Sequence, residues 1–136
     1  MMSRKLVLLS GGQDSATCLA AALSDSTSMV HAVVFDYGQR HRVEIDYSKR
    51  LAACSGVPIQ VIDCPFLAQF NDNSLTDRDR PIRVEGSSLP STFVPGRNML
   101  FLTLAGIMAY QLKCDTLVTG VCQTDFSGYP DCRHAF

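Results

Sequence analysis

Residues 6–23 read LVLLSGGQDSATCLAAAL, and this stretch decides the fold. Its aliphatic run Leu6–Leu9 is short and stops near a glycine pair, which is typical of a buried strand, whereas the run Ala16–Leu23 favours a helix. The turn between them is Ser10-Gly11-Gly12-Gln13-Asp14-Ser15. This arrangement predicts an anion site, because glycines let the backbone approach a ligand and the first helical N–H groups point at it.

The predicted anion is a phosphate that is bound without a Walker A lysine. No Gly-Lys-Ser/Thr follows the glycines, so backbone N–H groups, hydroxyls, arginines elsewhere and a metal ion have to meet the phosphate charge. The alternative is an ordinary Gly-Gly turn capped by Asp14 or Ser15. Hydroxyls on both sides of the glycines, between a strand and a helix, favour the phosphate site.

The rest of the chain alternates further strands with helices. Apolar periodicity predicts strands over Met29–Phe35, Pro58–Ile62 and Thr116–Val121, and helices over Glu44–Cys54 and Asn98–Lys113. Gly56 is placed to end the first of these two helices. The pattern predicts an α/β protein with an open parallel sheet, flanking helices and right-handed crossovers, which is a Rossmann-like arrangement.

Length and composition indicate one globular domain spanning residues 1–136. The chain is 46% hydrophobic and 18% charged, and its net charge of −1 argues against a broad nucleic-acid surface. Its apolar runs are too short for a membrane span or a signal peptide, so we expect a cytoplasmic protein that binds neither membranes nor nucleic acid.

Residues 63–92 interrupt the alternation and are interpreted as a loop insertion. They are polar, contain three prolines and include the charge run Asp77–Arg80; a short helix is expected at Phe66–Phe70. The six cysteines form no Cys-x-x-Cys pair, which predicts no metal ligand set in this chain, and for a cytosolic α/β chain we expect reduced, mostly buried thiols.

Three polar segments each follow a predicted strand, and they should meet at one edge of the sheet. They are the turn 10–15, the turn 36–41 and the loop 124–133. The sequence ends at Phe136, within or just after the third segment. We therefore expect either a C-terminally truncated chain or completion by a partner chain; an uncovered sheet face or apolar helix would favour a homodimer.

Four stretches together resemble one enzyme family. They are SGGQDS at 10–15, FDYGQRH at 35–41, FVPGRN at 93–98 and DFSGYPDCR at 125–133. The first looks like the pyrophosphate loop of the N-type ATP pyrophosphatases, which have the adenine nucleotide alpha hydrolase type of fold. All four, in this order, resemble the 7-cyano-7-deazaguanine synthase family, and the fourth stretch is the most specific.

The resemblance implies an ATP-dependent ligase of the queuosine and 7-deazapurine pathway. Such an enzyme converts 7-carboxy-7-deazaguanine and ammonia to the nitrile, through an adenylated acid, an amide and an adenylated amide. The implied partners are thus small molecules. Two other hypotheses about function remain open. The chain could be another ATP pyrophosphatase of this type that forms amides or thiolates tRNA, or an ATP-binding module without turnover.

The resemblance also implies roles for individual residues. ATP with Mg²⁺ would be bound by Leu8, Leu9, Ser10, Gly11, Gly12, Gln13, Asp14, Ser15, Ala16, Thr17, Cys18, Val34 and Phe35. Catalytic roles would fall to Asp14, Ser15, Arg97 and Asp125. The substrate would be contacted by Gln39, Arg97, Asn98, Asp125, Tyr129 and Arg133.

Structural alternatives apply to several of these residues. Arg97 would otherwise be an exposed residue at a helix start, and Asn98 a helix cap. Residues 125–133 would form turns around Gly128 and Pro130. His41 and Glu44 have helical spacing and form either a metal or base pair or a helix-start contact. The family also binds Zn²⁺ through four C-terminal cysteines, a cluster to which none of the six cysteines here is assigned.

Overall fold

A four-stranded, all-parallel sheet organises the computed structural model, which describes residues 2–39, 42–70 and 96–121. Its elements are β1 (Arg4–Leu8), α1 (Gln13–Ser24), β2 (Met29–Asp36), α2 (Val43–Cys54), β3 (Ile59–Asp63), a 3₁₀ helix (Pro65–Phe70), α3 (Arg97–Leu112) and β4 (Thr116–Val118). The predicted α/β class with an open parallel sheet and flanking helices is confirmed.

The strand order is β3-β2-β1-β4, so the chain reverses its direction across the sheet after β3. It moves outward from β1 to β3 and then returns to place β4 on the other side of β1. A crevice opens where such a reversal separates the loops that follow two neighbouring strands. Here that point is the carboxyl ends of β1 and β4. We call this side of the sheet the carboxyl edge and the opposite side the amino edge.

Side chains alternate along β1 and β2 and supply two separate cores. One core packs α1 and α2 against the sheet through Val7, Leu19, Ala32 and Ala52, among others. The other packs α3 against the opposite face, and it includes Leu6, Val33, Phe35, Ala105 and Met108. Crossovers of a single hand require this change of face when the chain reverses direction.

Several element boundaries differ from the sequence prediction. Strand β4 ends at Val118, three residues earlier than expected, and β1 begins two residues earlier, at Arg4. Helix α3 begins at Arg97, after Gly96 with a φ of 71°, so Asn98 lies inside the first turn and is not the cap. Gly56 follows α2 with a φ of 66°, as predicted for a residue that ends a helix.

Helix α3 buries its sheet-facing side but exposes Met99, Ile107 and Tyr110 among the described residues. The helix expected at Phe66–Phe70 is present as the 3₁₀ helix Pro65–Phe70. Residues 71–92 of the predicted insertion lie outside the described residues. No helix in the described ranges has the length and apolar character needed to cross a membrane.

Candidate functional site

The glycine turn after β1 leads directly into α1 at the carboxyl edge. Gly11 has a φ of 78°, a conformation that side chains disfavour, and Gly12 precedes the first helical residue, Gln13. In the described part of the chain, no side chain caps this helix start. The first-turn N–H groups, which have no helical acceptor, are therefore available to an anion.

Ser10 and Ser15 stabilise the turn from inside. Ser15 is buried; its Oγ accepts a hydrogen bond from the Ser10 N–H at 3.1 Å and donates to the Gly12 carbonyl at 3.0 Å. Ser10 Oγ donates to Ser15 Oγ at 3.2 Å and accepts from the Gly12 N–H at 3.4 Å. The described contacts of Ser15 thus shape the loop, and its predicted catalytic role remains a prediction.

Gly11 lies directly against the backbone of α2. A Cβ atom at Gly11 would come within 2.8 Å of Glu44 Cα, closer than side chains tolerate. The buried hydroxyl of Ser48 donates to the Glu44 carbonyl at 3.0 Å, on the part of α2 that Gly11 faces. The position of the glycine turn is consequently set by the first turn of α2 as well as by β1.

Gly120, after β4, approaches the other side of α1. A Cβ there would lie 3.1 Å from the Asp14 carbonyl carbon and 3.2 Å from Cys18 Sγ. Sequence reasoning placed Gly120 inside a strand and missed this contact, although an isolated glycine in an apolar run can signal close backbone approach. Gly11 and Gly120 together leave the first turn of α1 little room to move.

The turn after β2 closes on itself through four polar contacts. Asp36 pairs with Arg42 at 2.6 Å and accepts the Gly38 N–H at 3.1 Å. Gln39 is buried; its amide nitrogen donates to the Phe35 carbonyl at 3.1 Å, and its amide oxygen accepts the Tyr37 N–H at 3.0 Å. These contacts of Gln39 are with the turn itself, so its contact with a substrate remains a prediction.

Arg97 reaches the same edge from the opposite face of the sheet. It lies in the first turn of α3, and its guanidinium contacts Tyr37, with Nη1 donating to the hydroxyl at 3.4 Å. The neighbouring ring of Phe101 stacks on Phe35 of β2. The sequence pattern does not predict the contacts among Arg97, Tyr37 and Phe101, because these contacts depend on how α3 crosses the sheet.

The other predicted nucleotide-binding residues have different exposures. Asp14 and Thr17 are exposed, Cys18 is half-buried beside Gly120, and the side chains of Leu9, Val34 and Phe35 are buried in the cores. Because these last side chains are buried, their contact with ATP remains a prediction. The predicted substrate residues Asp125, Tyr129 and Arg133, together with His41, lie outside the described residues.

The described cysteines are Cys18, Cys54, Cys64 and Cys114, all free thiols, and of these only Cys64 is buried, so the expectation of mostly buried thiols is not met among them. Burial, followed by the nearby charges of Asp63 and Asp36, raises the pKa of the Cys64 thiol, which therefore stays protonated at neutral pH. Among residues 2–39, 42–70 and 96–121, no three His, Cys, Asp or Glu side chains cluster as metal ligands.

Comparison with known protein families yields a match over nearly the whole chain. The family model described as "Queuosine biosynthesis protein QueC" matches residues 4–136. The match includes all four stretches on which the resemblance was based, and it covers the glycine turn, the turn after β2 and the start of α3.

Proposed function

The chain belongs to this family of queuosine biosynthesis proteins, and from that premise we propose that it is an ATP-dependent ligase. Its substrates would be 7-carboxy-7-deazaguanine and ammonia, and its product 7-cyano-7-deazaguanine. The observation that supports this most is the uncapped start of α1, which lies between two close glycine contacts at the reversal point of the sheet.

The described residues fit the phosphates of ATP. Anions bind well at a helix N-terminus because its N–H groups and helix dipole both favour negative charge. The Gly11 conformation and the hydroxyl of Ser10 shape the turn, while Ser15 fastens it from within. Mg²⁺ bound with ATP would neutralise part of the phosphate charge, and the exposed Asp14 carboxylate is available to hold it through water.

The proposed chemistry follows from the poor reactivity of a carboxylate. A carboxylate oxygen of the acid attacks the α-phosphorus of ATP, and pyrophosphate leaves. Ammonia then displaces AMP from the adenylated acid and gives the amide, with loss of a proton. The amide oxygen then attacks the α-phosphorus of a second ATP, with loss of pyrophosphate and one nitrogen proton, and loss of AMP with the remaining nitrogen proton leaves the nitrile. Such transfers depend mainly on positioning and charge neutralisation.

Arg97 is proposed to bind the carboxylate or a phosphate from the α3 side. Its planar guanidinium matches either anion with two parallel hydrogen bonds. Gln39, Asn98, Asp125, Tyr129 and Arg133 are proposed to contact the deazaguanine. The Zn²⁺ that the resemblance implies has no ligand cluster among residues 2–39, 42–70 and 96–121.

The test supplies the full-length protein with 7-carboxy-7-deazaguanine, ammonia and Mg-ATP. We expect AMP and pyrophosphate to be released together and the nitrile to appear by mass spectrometry. Omitting ammonia should stop AMP release and leave the adenylated acid. Calorimetry with ATP alone runs alongside: binding without any release would contradict the ligase and indicate a nucleotide-binding module.

A further inference from the structure

Aromatic rings join the end of β2 to the first turns of α3 at the carboxyl edge. The rings of Phe35 and Phe101 are stacked, with centroids 4.3 Å apart and planes 2° from parallel. Tyr37 packs against the same Phe101 ring, tilted by 44° with centroids 5.5 Å apart. Rings prefer such stacked and tilted arrangements, so Phe101 fixes the position of Tyr37 relative to the sheet.

The backbone on either side of Tyr37 is also held. The Tyr37 N–H donates to the buried Gln39 side chain, and Asp36 accepts the next N–H along the turn. The Asp36 carbonyl in turn accepts the Cys64 N–H at 2.6 Å, which ties the turn to the residue after β3. Tyr37 is therefore restrained both at its backbone and at its ring.

This restrained ring contacts the guanidinium of Arg97. Nη1 donates to the Tyr37 hydroxyl at 3.4 Å, and the guanidinium carbon lies 5.8 Å from the ring centroid. Both distances are near the outer limit for a hydrogen bond and for a cation–π contact. Contacts of this strength orient an arginine without competing strongly with a carboxylate or phosphate, which forms shorter, charge-assisted bonds.

We propose that Tyr37 and Phe101 are positioning residues that orient Arg97 for an anionic group of the substrate. They act through Arg97 and do not themselves touch the reacting atoms. The inference rests on the proposed function for its effect on turnover, whereas the orientation of Arg97 can be measured without any reaction. The two parts are therefore tested by separate measurements.

The first measurement is a double-mutant cycle on AMP release by the full-length protein. Misplacing a binding group can reduce turnover by up to about a hundredfold, so we expect Tyr37→Leu to lower kcat/KM about tenfold. Tyr37→Phe, which keeps the ring, should lower it about threefold at most. In an Arg97→Lys background, Tyr37→Leu should lower it less than about twofold further, because the two residues act together.

The second measurement uses NMR of the protein labelled with ¹³C and ¹⁵N at arginine. The Arg97 signal is assigned by its loss in Arg97→Lys. We expect Tyr37→Leu and Phe101→Leu to shift this signal. The first variant removes the ring beside the guanidinium, and the second removes the ring that packs against Tyr37. Tyr110→Leu is the matched control on the same helix; Tyr110 is 86% exposed, and its replacement should change neither the signal nor turnover.

An unchanged Arg97 signal in Tyr37→Leu would overturn the proposal, whether or not the protein turns over substrate. Fully additive losses in the double-mutant cycle would also overturn it. Thermal melting of each variant distinguishes a misfolded protein from a folded one in which the Arg97 guanidinium is misplaced. If Phe101→Leu fails to fold, Tyr37→Phe still tests the proposal. A wild-type protein without AMP release contradicts the proposed function, while the NMR measurement still decides the orientation of Arg97.

Discussion

At the amino edge of the sheet, two carboxylates are surrounded by donors from neighbouring segments. Asp25 accepts from Lys5 Nζ at 2.9 Å and also from Thr27 and Ser28. Asp115, just before β4, accepts from Ser3 Oγ at 2.9 Å, from the Arg4 N–H and from Thr116. Polar groups at this edge pair with each other and hold the strands together.

At the carboxyl edge, the described polar groups are arranged differently. The serines of the glycine turn bond to each other and to the turn backbone, while the first turn of α1 has no side-chain cap in the described residues. Backbone passes within contact distance at Gly11 and Gly120, where side chains would intrude. The amino edge is therefore built for stability, whereas among the described residues of the carboxyl edge the first-turn N–H groups of α1 have no side-chain partner and remain available to an anion.

The largest expected difference between the edges concerns two glycines of similar φ. Gly11 at the carboxyl edge has a φ of 78° and Gly56 at the amino edge a φ of 66°. Alanine in this conformation costs about 1–2 kcal/mol at either position, and the clash at Gly11 adds about 1–3 kcal/mol. We expect Gly11→Ala to abolish AMP release and to lose about 3 kcal/mol of unfolding free energy.

Gly56→Ala is the matched control, because a Cβ there meets no described atom within 4 Å. It should lose only about 1 kcal/mol in denaturant unfolding and leave AMP release unchanged. Equal losses of stability and activity in the two variants would mean that the backbone contact with Glu44 has no special role.

Gly120 offers a milder change at the carboxyl edge. A Cβ 3.1 Å from the Asp14 backbone requires a small shift of the first turn of α1. We expect Gly120→Ala to weaken ATP binding about tenfold in calorimetry, since misplaced N–H groups bind phosphate less well. Gly106→Ala inside α3 is the control; it should stabilise the fold by about 0.5–1 kcal/mol and leave ATP affinity unaltered. Unchanged ATP affinity in Gly120→Ala would contradict this role of the segment after β4.

The contribution of Asp25 to stability at the amino edge should depend on pH. Hydrogen bonds from Ser28 first, and then from Thr27 and Lys5, lower the pKa of this carboxyl below its usual range. A carboxyl with a lowered pKa stabilises the fold above its unfolded value of about 3.9, and this contribution disappears as the pH falls further. Asp25→Asn should therefore be less stable than the wild type at pH 7.

The stability difference between wild type and Asp25→Asn should narrow as the pH falls below about 4. Denaturant unfolding at several pH values measures it, and AMP release at neutral pH should be unaffected in the folded variant. A difference that persists undiminished at pH 3 would be inconsistent with a charge effect. Thr27→Ala, which removes the hydroxyl donor to Asp25 but keeps the backbone N–H, should show the same trend more weakly.

The smallest expected effect is at Lys113, which ends α3 at the amino edge. Its φ of 57° is left-handed, and the following N–H, of Cys114, bonds to the Ala109 carbonyl at 2.8 Å. Glycine adopts this conformation without strain, so Lys113→Gly should raise the unfolding free energy by about 0.5–1 kcal/mol. Ser55→Gly at the end of α2, where φ is −91°, should give no such gain.

Local patterns were sufficient to predict the α/β class and the position of the glycine turn. The aliphatic run of β1 and the alanine-rich run within α1 are signals contained within a few residues. A local signal, the glycine at position 56, likewise predicted the end of α2, where the chain adopts a left-handed conformation. Features that are determined by residues close together in the sequence can therefore be predicted from the sequence alone.

Contacts between distant segments could not be predicted in this way. The close approach of Gly120 to α1 depends on the position of β4 beside β1, which the local sequence does not specify. The predicted start of α3 at Asn98 was wrong by one residue because Gly96 supplies the turn into the helix. Likewise, the contact of Arg97 with Tyr37 joins residues 60 positions apart.

The strand order also has a consequence for how each new chain acquires its site. Lys5 and Asp25, which connect β1 to the start of β2, are 20 residues apart, whereas Arg4 and Asp115, at the β1–β4 junction, are 111 apart. Contacts across long separations form late, because a long loop has to close first. We therefore expect a chain emerging from the ribosome to assemble β1, β2 and β3 early and to gain nucleotide affinity only once β4 and Gly120 have been synthesised.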